Sequence, residues 1–542
     1  MVRVTTAAEA AARDLAAIAA GVPSFDLMLA AGTVAAAEIL RRFDDRLAHG
    51  VALLAGGGNN GGDAYIVAAQ LARAGVTVRL HAATPPRTPD AQRAATLAAP
   101  ALAHGAPTGR ERVVVDGLLG TGHQGPLRDA IAAACAWLQQ ARDRGAMVMA
   151  LDVPTGLDAT TGAMADGSVP AHVTVCFGTL KRGVLLQRAH AGTLVLADIG
   201  LGGFSDRPGA TDDAAWGWAH GAALAARLPA IAWNAHKGRR GRVGLAGGHE
   251  GMAGAIALAA RAALRSGAGL VHAMVDAPSV AAVQEQVPQA LAHRWPAPPV
   301  GPGEPAGNPD LAELRLDALA IGPGLGRSAA SAGVLQQWLA QHRGTPLVLD
   351  ADALWLVADL ARQQGEHAAS LLRSLTRESP TVVCTPHVGE FATLTGAPLP
   401  DDWGARGDVL QQFADAAGVT LLLKGTPTLV ATPTAAPSPA MLQRVVPLQV
   451  VPHGTALLAT GGSGDCLTGI IATLLAQGLS ATDAAVVGAT LHGVAAEQAT
   501  AVTGVRGSTL DDLLAAMPGA WRVLEVPPVY PPGVLATLPA PP

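Results

Sequence analysis

The segment VALLAGGGNNGGD at Val51–Asp63 joins a short apolar run to a glycine-rich loop that ends in an acid. Val51–Ala55 has the length and composition of a buried strand, and Ala64–Gly75 is typical of a helix. Glycines between a strand and a helix let the backbone approach a ligand closely, and they present free amides where phosphate groups commonly bind. The segment therefore predicts a strand–loop–helix unit of an α/β domain, with a ligand site at the loop.

A second loop of this type, ATGGSGD at Ala459–Asp465, precedes the apolar segment Cys466–Ile471. Both loops carry a carboxylate and several free backbone amides beside a helix. They resemble one another in composition only and lie in opposite halves of the chain. Two such loops predict two active sites, and therefore a bifunctional enzyme.

Short apolar runs alternate with helix-length segments through both halves, after an Ala-rich opening at Thr5–Arg46 that we interpret as helices. This alternation predicts βαβ units and a mainly parallel sheet in each half. The strands predicted in the first half are Val51–Leu54, Val76–Leu80, Val113–Val115, Met147–Leu151, Val173–Phe177 and Leu194–Leu196. Those predicted in the second half are Arg242–Ala246, Leu270–Val275, Ala318–Ile321, Pro346–Leu349, Thr381–Cys384, Thr420–Leu423 and Thr428–Ala431.

The strand pattern lapses at Gly202–Ala235, where we place a domain boundary. We predict domains at 1–220 and 221–525, a Pro/Gly-rich surface loop at Pro296–Pro309 and a Pro-rich tail at 526–542. The length of 542 residues suits two domains, and the apolar fraction of 50% lets each bury a core.

The charge balance excludes one class of partner. The chain has 37 Lys and Arg against 42 Asp and Glu, and only 3% of its residues are aromatic. Nucleic-acid binders usually carry a basic surface or aromatic stacking platforms. We therefore expect no nucleic-acid partner.

The cysteines and the hydropathy pattern predict a cytoplasmic protein without a membrane partner. Cys135, Cys176, Cys384 and Cys466 are widely spaced and lack metal-ligand spacing, which indicates reduced, buried thiols. Charged residues occur early in the N-terminal segment, which is not typical of a signal peptide. No uncharged apolar stretch reaches the length of a membrane span.

Three acids in the first half follow or end apolar strands: Asp63, Asp116 in VVVDGLLGTGHQGP, and Asp152 in ALDVPTGLDATTG. Ligands of parallel sheets bind at the carboxyl ends of strands, so these acids are expected to converge on one pocket. The alternative for each is that it caps the following helix or turn.

Together these strings resemble the NAD(P)H-hydrate epimerase family, whose pattern contains GNNGGD, a V-D-x-x-x-G-T-G string and a D-x-P-x-G-L-D string in this order. The segment TVCFGTLKRGVLL, with Lys181, is also similar to the family. The resemblance implies that residues of the first two strings hold a hydrated dinucleotide: Asn59, Asn60, Gly61, Gly62, Asp63, Gly120, Thr121, Gly122, His123, Gln124, Gly125 and Pro126.

The same resemblance implies a potassium site at Asn60, Asp116 and Thr155, whose oxygen donors suit a hard cation. Thr155 stands where many relatives have Ser, and its hydroxyl can still coordinate a cation. Asp152 would contact the substrate. Asp152 and Lys181 are the acid–base candidates, and the sequence leaves open which of them acts. His123 is interpreted as shaping its loop.

The second half contains a set of strings that suits phosphoryl transfer: IGPGLG at Ile321–Gly326, VLDADAL at Val348–Leu354, CTPHVGEF at Cys384–Phe391, LLKGTPTLV at Leu422–Val430, and ATGGSGD. Backbone amides of Gly461–Gly464 would form an anion hole, Asp465 would act as a base, and Lys424 would face phosphates. The alternatives are a helix N-cap for Asp465, a solvated strand end for Lys424 and a turn histidine beside Pro386 for His387.

This ordered set resembles the ADP-dependent NAD(P)H-hydrate dehydratase family of the ribokinase-like fold, from about Asn234 to Leu514. The resemblance implies hydrate contacts by Ala255, Gly324, His387 and Asp465. It also implies nucleotide contacts by Lys424, Gly425, Thr426, Pro427, Thr428 and Gly464. Relatives often read GNPGMATGGSGD where this chain reads VPHGTALLATGGSGD, a departure that affects the lead-in to the loop and leaves the loop itself intact.

The two resemblances together predict an α/β protein with a Rossmann-like parallel-sheet sandwich followed by a ribokinase-like domain. They imply epimerisation of the R and S hydrates of NADH and NADPH, and then ADP-dependent dehydration of the S hydrate. In that second step Asp465 accepts the C6 hydroxyl proton, the oxygen attacks the β-phosphoryl of ADP, and phosphate and AMP are released. The implied cofactors are K⁺ in the first site and Mg²⁺ with ADP in the second, and we expect a homo-oligomer.

Two alternative interpretations remain at this point. The second half could be a vitamin-precursor kinase of the same fold class, which would use the same loop and base with ATP. The first half could be a non-catalytic ligand-binding module. The acids Asp63, Asp116 and Asp152 argue against the latter.

Overall fold

The computed structural model describes residues 2–102, 105–204, 216–231, 234–295, 311–341, 344–377, 381–434 and 447–524. The predicted loop at Pro296–Pro309 and the predicted tail at 526–542 lie outside the described residues. The chain divides into two compact units, Met1–Trp218 with Asp402–Gly404, and Ala219–Asp401 with Ala405–Pro542.

The described strands of the first unit are β1 (Val2–Thr5), β2 (Val51–Ala55), β3 (Val78–Ala82), β4 (Val113–Gly117), β5 (Met147–Leu151), β6 (Val173–Phe177), β7 (Leu180–Lys181), β8 (Thr193–Ala197) and β9 (Trp216–Trp218). Its described helices are α1 (Ala7–Ala19), α2 (Ser24–Arg42), α3 (Asn59–Arg73), α4 (Pro89–Ala98), α5 (Asp129–Asp143), α6 (Arg182–Leu186) and α7 (Arg188–Ala191).

The main sheet of the first unit has the strand order β3-β2-β4-β5-β6-β8, and all of its neighbouring strands are parallel. The side chains of β2 alternate between the two faces of this sheet. Val51, Leu53 and Ala55 pack in one buried cluster with α2 and α3, while Ala52 and Leu54 pack in another with α5. This is the helix–sheet–helix sandwich that the sequence predicts.

The order of this sheet reverses direction between β2 and β4, because β3 lies on one side of β2 and β4 on the other. Leu54 is in register with Asp116, and Ala55 with Gly117, so the loops that follow β2 and β4 leave the sheet side by side. Such a reversal opens a crevice at the carboxyl ends of the strands. The glycine-rich loop and Asp116 both lie at this crevice.

The opening of the chain differs from the prediction at Thr5. Residues Val2–Thr5 form β1, which pairs parallel with β7 and antiparallel with β9, and helix begins only at Ala7. Val2–Thr5 alternates apolar and polar residues, but a run of four is too short to distinguish a strand from the start of the helical segment. The pairing of β1 with segments about 175 and 215 residues away depends on tertiary contacts.

The described strands of the second unit are β10 (Arg242–Gly247), β11 (Leu270–Asp276), β12 (Leu291–Trp295), β13 (Ala318–Ile321), β14 (Leu347–Leu349), β15 (Val382–Cys384), β16 (Thr420–Leu423), β17 (Thr428–Ala431) and β18 (Leu448–Val451). Its described helices are α8 (Ala222–Ala225), α9 (Ala253–Arg265), α10 (Val280–Gln286), α11 (Leu311–Leu314), α12 (Ala329–Gln341), α13 (Asp352–Gln363), α14 (Ala368–Thr376), α15 (Val388–Thr395), α16 (Trp403–Ala417), α17 (Ser463–Ala476), α18 (Ala481–Thr503) and α19 (Leu510–Leu524).

These strands follow the order β12-β11-β10-β13-β14-β15-β16-β17-β18. They are parallel from β12 to β16, and the hairpin strands β17 and β18 are antiparallel to their neighbours. Helices α9, α17, α18 and α19 contribute to one large buried cluster with β10, β11 and β13. The loops that follow β10, β13, β14, β15 and β16 leave the same edge of the sheet, so the predicted motifs of this half share that edge.

Cys135, Cys176, Cys384 and Cys466 are free and buried, as predicted. Burial raises the pKa of each of these thiols to about 12. Among the residues that the structure describes, no helix combines the length and the hydropathy needed to cross a bilayer.

Candidate active sites in the two units

A cavity of about 690 Å³ opens at the crevice of the first unit. Most of the predicted substrate-binding and acid–base residues of this half line it: Asn59, Asn60, Asp63, Gly120, Thr121, Gly122, His123, Gln124, Pro126, Asp152 and Lys181. Gly61, Gly62 and Gly125 are not among the lining residues. Gly61 instead permits close backbone packing, since a Cβ atom there would lie 1.9 Å from the Gly56 carbonyl oxygen.

An ion pair joins the two acid–base candidates of this cavity. Lys181 Nζ donates to Asp152 Oδ1, and it also donates to the Phe177 carbonyl oxygen at 2.8 Å. The Phe177 amide donates to the same Asp152 oxygen at 3.1 Å. Asp152 has a positive φ of 62°, in the left-handed region that is uncommon for a residue with a Cβ atom. The structure thus holds Asp152 in a strained backbone position against an almost fully buried lysine.

Asp63 lies at the same cavity in the first turns of α3 and is buried. Burial raises the pKa of its carboxyl well above the usual value, and the charge of Asp152 adds to this effect while Lys181 opposes it. The environment therefore favours the protonated carboxyl. Asp14 of α1 also lines the cavity, and its carboxylate is a further charge that acts on Asp63.

Asp116, Thr155 and Asn60 lie together beneath the cavity. Asp116 Oδ1 accepts from the Thr155 hydroxyl at 2.6 Å and Oδ2 accepts from the Thr155 amide at 2.9 Å. Thr155 Oγ1 accepts from the Leu119 amide at 3.1 Å, and Asn60 Nδ2 donates to the Leu119 carbonyl oxygen at 2.8 Å. Burial raises the pKa of Asp116, and the hydrogen bonds from Thr155 and Leu118 oppose that rise.

The oxygen Asn60 Oδ1 is buried and has no hydrogen-bond partner among the described residues. An unpartnered buried carbonyl is costly unless something else satisfies it. Thr155 Oγ1 donates one bond and accepts one, which leaves a lone pair for a further contact. The donor set therefore fits a hard cation at this position.

The alternative that the acids of the first half only cap the following helix or turn is correct for only part of them. Asp116 does accept from the Leu118 amide at 3.2 Å, as a turn-forming aspartate would, yet it also binds Thr155, which lies 39 positions away. The hydrogen bonds described for Asp152 come from Phe177 and Lys181 and not from the turn that follows it. His123 lines the cavity, and its amide donates to the Gly120 carbonyl oxygen at 3.2 Å.

In the second unit, Lys424 lies at the end of β16 and joins three of the predicted motifs. Its Nζ contacts Asp350 Oδ1 at 2.7 Å and Glu390 Oε2 at 3.6 Å. A Cβ atom built on Gly464 would lie 3.3 Å from the same Nζ. Although burial works against it, Asp350 and Glu390 raise the pKa of Lys424. The alternative of a solvated strand end for Lys424 is therefore wrong.

The glycine-rich loop places Asp465 in the first turn of α17. The N-cap is Gly462, whose φ of 94° lies in the left-handed region, and the helix begins at Ser463. The alternative that Asp465 is the N-cap is therefore wrong. Burial, with the nearby charge of Asp350, raises the pKa of Asp465 to about 7, and Lys424 opposes the rise.

His387 is the N-cap of α15. Its Nδ1 accepts from the Gly389 amide at 3.0 Å and the Glu390 amide at 3.2 Å, while Glu390 Oε2 accepts from the His387 amide at 2.8 Å. His387 therefore has a local structural role as a helix N-cap and not as a turn histidine. The side chain stays 59% exposed, and its Nε2 lies 3.4 Å from Glu390 Oε1.

The remaining predicted residues flank this centre. Gly324 and Ala255 are neighbours, because a Cβ atom on Gly324 would lie 3.2 Å from the Ala255 Cβ. Leu258, one turn after Ala255, would lie 2.6 Å from a Cβ atom on Gly462, so α9 runs alongside the glycine-rich loop. Gly425, Thr426 and Pro427 connect Lys424 to β17, which begins at Thr428, and Thr428 Oγ1 donates to the Gly425 carbonyl oxygen at 3.2 Å.

Three charged residues of these sites were not predicted from the sequence: Asp14, Asp350 and Glu390. Asp350 and Glu390 lie within the strings VLDADAL and CTPHVGEF, so the available signal was the strand end at Asp350 and membership of the second string for Glu390. Asp14 lies in a helix of ordinary amphipathic pattern, and nothing in its surroundings along the chain marks it.

Models of known protein families match both halves of the chain. The family model described as NAD(P)H-hydrate dehydratase matches residues 243–518, and the model described as YjeF-related protein N-terminus matches residues 24–183. The bifunctional NAD(P)H-hydrate repair enzyme Nnr of Moorella thermoacetica is 33% identical over 531 residues, which cover 93% of this chain and 93% of that protein. This chain belongs to the family of bifunctional NAD(P)H-hydrate repair enzymes.

Another member of the repair enzyme family, from Mycobacterium tuberculosis, is 35% identical over 473 residues, which cover 86% of this chain and 88% of that protein. The family similarity runs through both halves, so the resemblance inferred from the two loops is confirmed. Among solved structures, the ADP/ATP-dependent NAD(P)H-hydrate dehydratase of Bacillus subtilis, co-crystallised with ATP and Mg²⁺, is 27% identical. It covers 57% of this chain and 98% of its own, with a TM-score of 0.45.

Proposed function

We propose that this chain repairs hydrated NADH and NADPH by two reactions at two separate sites. Residues 1–220 interconvert the R and S hydrates, and residues 221–525 dehydrate the S hydrate with ADP, giving NAD(P)H, AMP and phosphate. Membership of the bifunctional family supports the pair of reactions. The observation that carries the proposal is the arrangement of Asp465 beside Lys424 at the glycine-rich loop, because a base and a phosphate-binding cation there suit phosphoryl transfer.

The first reaction inverts C6 of the reduced ring, which carries the added hydroxyl next to the ring nitrogen. The C6–O bond or the C6–N bond must break and re-form on the other face, and either route moves a proton onto the departing atom and removes one on return. The Asp152–Lys181 pair lines the cavity and supplies an acceptor and a donor in contact with each other. Asp63 adds a carboxyl whose protonated form is favoured by burial.

Potassium is proposed at Asn60, Asp116 and Thr155, where Asn60 Oδ1 offers the unpartnered oxygen described above. A bound cation would supply a positive charge beneath the loop that holds the dinucleotide. We expect the thermal stability and the epimerisation rate to be higher in K⁺ than in choline chloride of equal ionic strength. Thr155→Val should abolish the K⁺-dependent gain in melting temperature, while Thr161→Val, on an exposed turn, should keep it. Equal melting temperatures in the two salts would contradict the potassium site.

The second reaction requires activation of a poor leaving group. Asp465 accepts the C6 hydroxyl proton, and the oxygen attacks the β-phosphoryl of ADP, so that the P–O bond to AMP breaks. Phosphate then leaves C6 as the ring nitrogen contributes its electron pair, and loss of the proton on C5 completes the double bond. The Lys424 ammonium and the backbone amides of Gly461–Gly464 face the phosphates.

Magnesium is expected to enter with the nucleotide, held largely by phosphate oxygens and water. Among the described residues, the carboxylates that act most on Asp465 are Asp350, Asp352 and Glu390, and the cation that opposes them is Lys424. This excess of negative charge fits a site that takes its nucleotide with a divalent cation. The cation would neutralise charge that develops on the transferred phosphoryl group.

The deciding experiment follows the dihydronicotinamide absorbance of a mixed-epimer preparation of hydrated NADH, with and without ADP and Mg²⁺. We expect complete recovery that depends on ADP. Recovery that stops at the S fraction would contradict the epimerase assignment. Absence of recovery, together with ATP-dependent phosphorylation of a thiazole or pyrimidine alcohol, would support a vitamin-precursor kinase.

A further inference from the structure

Asp350 forms a buried bridge between three elements of the second unit. It follows β14 and is 1% exposed. Its Oδ1 accepts from Lys424 Nζ at the end of β16 at 2.7 Å, and its Oδ2 accepts from the Thr468 hydroxyl in α17 at 2.6 Å. Thr468 is fully buried and lies one turn after Asp465. The Asp350 carboxylate therefore connects Lys424 and helix α17 to the end of β14.

We propose that Asp350 is a positioning residue for the dehydration step, which holds the Lys424 ammonium at the glycine-rich loop and keeps a fixed negative charge beside Asp465. This proposal rests on the proposed function of the site. Asp350 is not one of the site residues predicted from the sequence. Asp350 itself is buried under Lys424 and Thr468, so it acts through them and not by contact with the substrate.

The negative charge of Asp350 is needed because Lys424 could otherwise form an ion pair with Asp465. Asp465 is one of the carboxylates that attract Lys424. A lysine paired with Asp465 would stabilise the carboxylate and weaken it as a base. Because Asp350 accepts a hydrogen bond from Lys424, the ammonium stays beside Gly464, where phosphates are expected, and Asp465 keeps its proton affinity.

The backbone around Asp350 supports a constrained role. The next residue, Ala351, has a φ of 48°, which is strained for a residue with a Cβ atom. The turn brings Asp350 and Asp352 to the same edge while giving them different partners. Asp352 accepts from the Gly326 amide at 2.9 Å and from Arg327 Nε at 2.7 Å.

The groups that face Asp465 come from several elements. Asp350 and Asp352 lie at the end of β14 and the start of α13, Glu390 on α15 and Lys424 on β16. Lys424 also acts on His492 of α18: burial, with the charge of Lys424, lowers the pKa of His492 to about 4, so this histidine is neutral near pH 7. Among these groups, Asp350 and Glu390 both contact Lys424, but Asp350 accepts a hydrogen bond from it at 2.7 Å, whereas the Glu390 contact is longer, at 3.6 Å.

The test compares Asp350→Asn with the wild-type full chain in ADP-dependent dehydration of the S hydrate across pH 5–9. Loss of the negative charge stabilises ionised Asp465, so the acidic limb of the kcat/KM profile should move down by about 1 pH unit. The KM for ADP should rise about tenfold as Lys424 is released. Thr468→Val keeps the charge, so it should raise the KM for ADP by a smaller factor and leave the limb in place.

Thermal unfolding of the full chain serves as the folding control, and Asp359→Asn, a carboxylate of α13 that bonds Arg362 and Gln363, is the matched control that should leave both the limb and the KM for ADP unchanged. An unmoved limb and an unchanged KM for ADP in folded Asp350→Asn would overturn the inference. If that variant does not fold, an unchanged KM for ADP in Thr468→Val would overturn it. Failure of the wild type to dehydrate the hydrate with ADP would instead overturn the proposed function.

Discussion

At the scale of single residues, each of the two sites contains a carboxyl group that is buried away from water. Asp465 and Asp63 both gain proton affinity chiefly from burial. The cause is the same, and the expected consequences differ, because Asp465 must be ionised to act as a base while Asp63 is favoured in its protonated form.

Asp465 sets the pH dependence of dehydration. Its pKa of about 7 means that the base is protonated below neutrality, so kcat/KM should fall about tenfold per pH unit below pH 7. Asp465→Asn should reduce dehydration by roughly 10²–10⁴-fold and leave epimerisation intact. Asp359→Asn, an acid on the outer face of α13, is the matched control. Equal loss of both activities in Asp465→Asn would contradict the two-site arrangement.

Asp63 connects activity to stability. Because the pKa of its carboxyl is raised in the folded state, the folded protein binds more protons than the unfolded chain, and stability falls as the pH rises above the unfolded pKa. Asp63→Asn removes this penalty. Calorimetry should show a melting temperature above that of the wild type at pH 8, with the difference vanishing toward pH 4.

The same variant removes a proton carrier from the cavity, so we expect epimerisation to slow by roughly 100-fold. Dehydration of the S hydrate should keep its wild-type rate. A melting temperature below that of the wild type at pH 8 would show that the Asp63 carboxylate is stabilised by the fold and not penalised by it.

At the scale of elements, helix α17 both carries the glycine-rich loop and packs closely on α9. A Cβ atom at Gly469 would lie 2.0 Å from the Ala259 carbonyl oxygen, so the two helices meet at a position that has room only for glycine. The same contact aligns α9 with the loop through Leu258 and Gly462. Packing and site geometry therefore depend on one another here.

Gly469→Ala should force these helices apart and reduce the free energy of unfolding by about 1–3 kcal/mol. Gly333→Ala in α12 is the control, since a Cβ atom there meets nothing within 4 Å and alanine favours a helix by up to about 1 kcal/mol. Urea unfolding of both variants measures the difference. A Gly469→Ala protein as stable as the wild type would mean that the α9–α17 contact relaxes freely.

At the scale of the whole molecule, the two reactions should be separable because each site is built within one unit. Asp152→Ala alone should repair only the S fraction of hydrated NADH, and Asp465→Asn alone should restore no absorbance. A mixture of the two variants should recover the full signal, because the hydrate released by one protein can diffuse to the other. Recovery that stalls at the S fraction in the mixture would contradict this independence. The homo-oligomer expected from the sequence stays a prediction, which light scattering on the full chain tests.

Local sequence determined much of this protein. Apolar runs of strand length and glycine-rich loops depend on residues that are neighbours along the chain, so β2, β4, α3 and the loop before α17 follow from the pattern alone. The same is true of the two-site organisation and of the motif residues at the first cavity, such as Asn60, Asp63 and Asp152. Short strands such as β1, β7 and β12 could not be predicted, because pairing with distant segments decides them.

Tertiary structure decided how the charged groups are paired. Asp350 meets Lys424 across 74 positions and Thr468 across 118, and Asp152 meets Lys181 across 29. Only the folded chain buries Asp63 and Asp465, and only it leaves Asn60 Oδ1 without a partner among the described residues. Sequence motifs specify which chemical groups are present at each strand end. Their protonation and pairing depend on burial and on neighbours from other elements, which no local pattern contains.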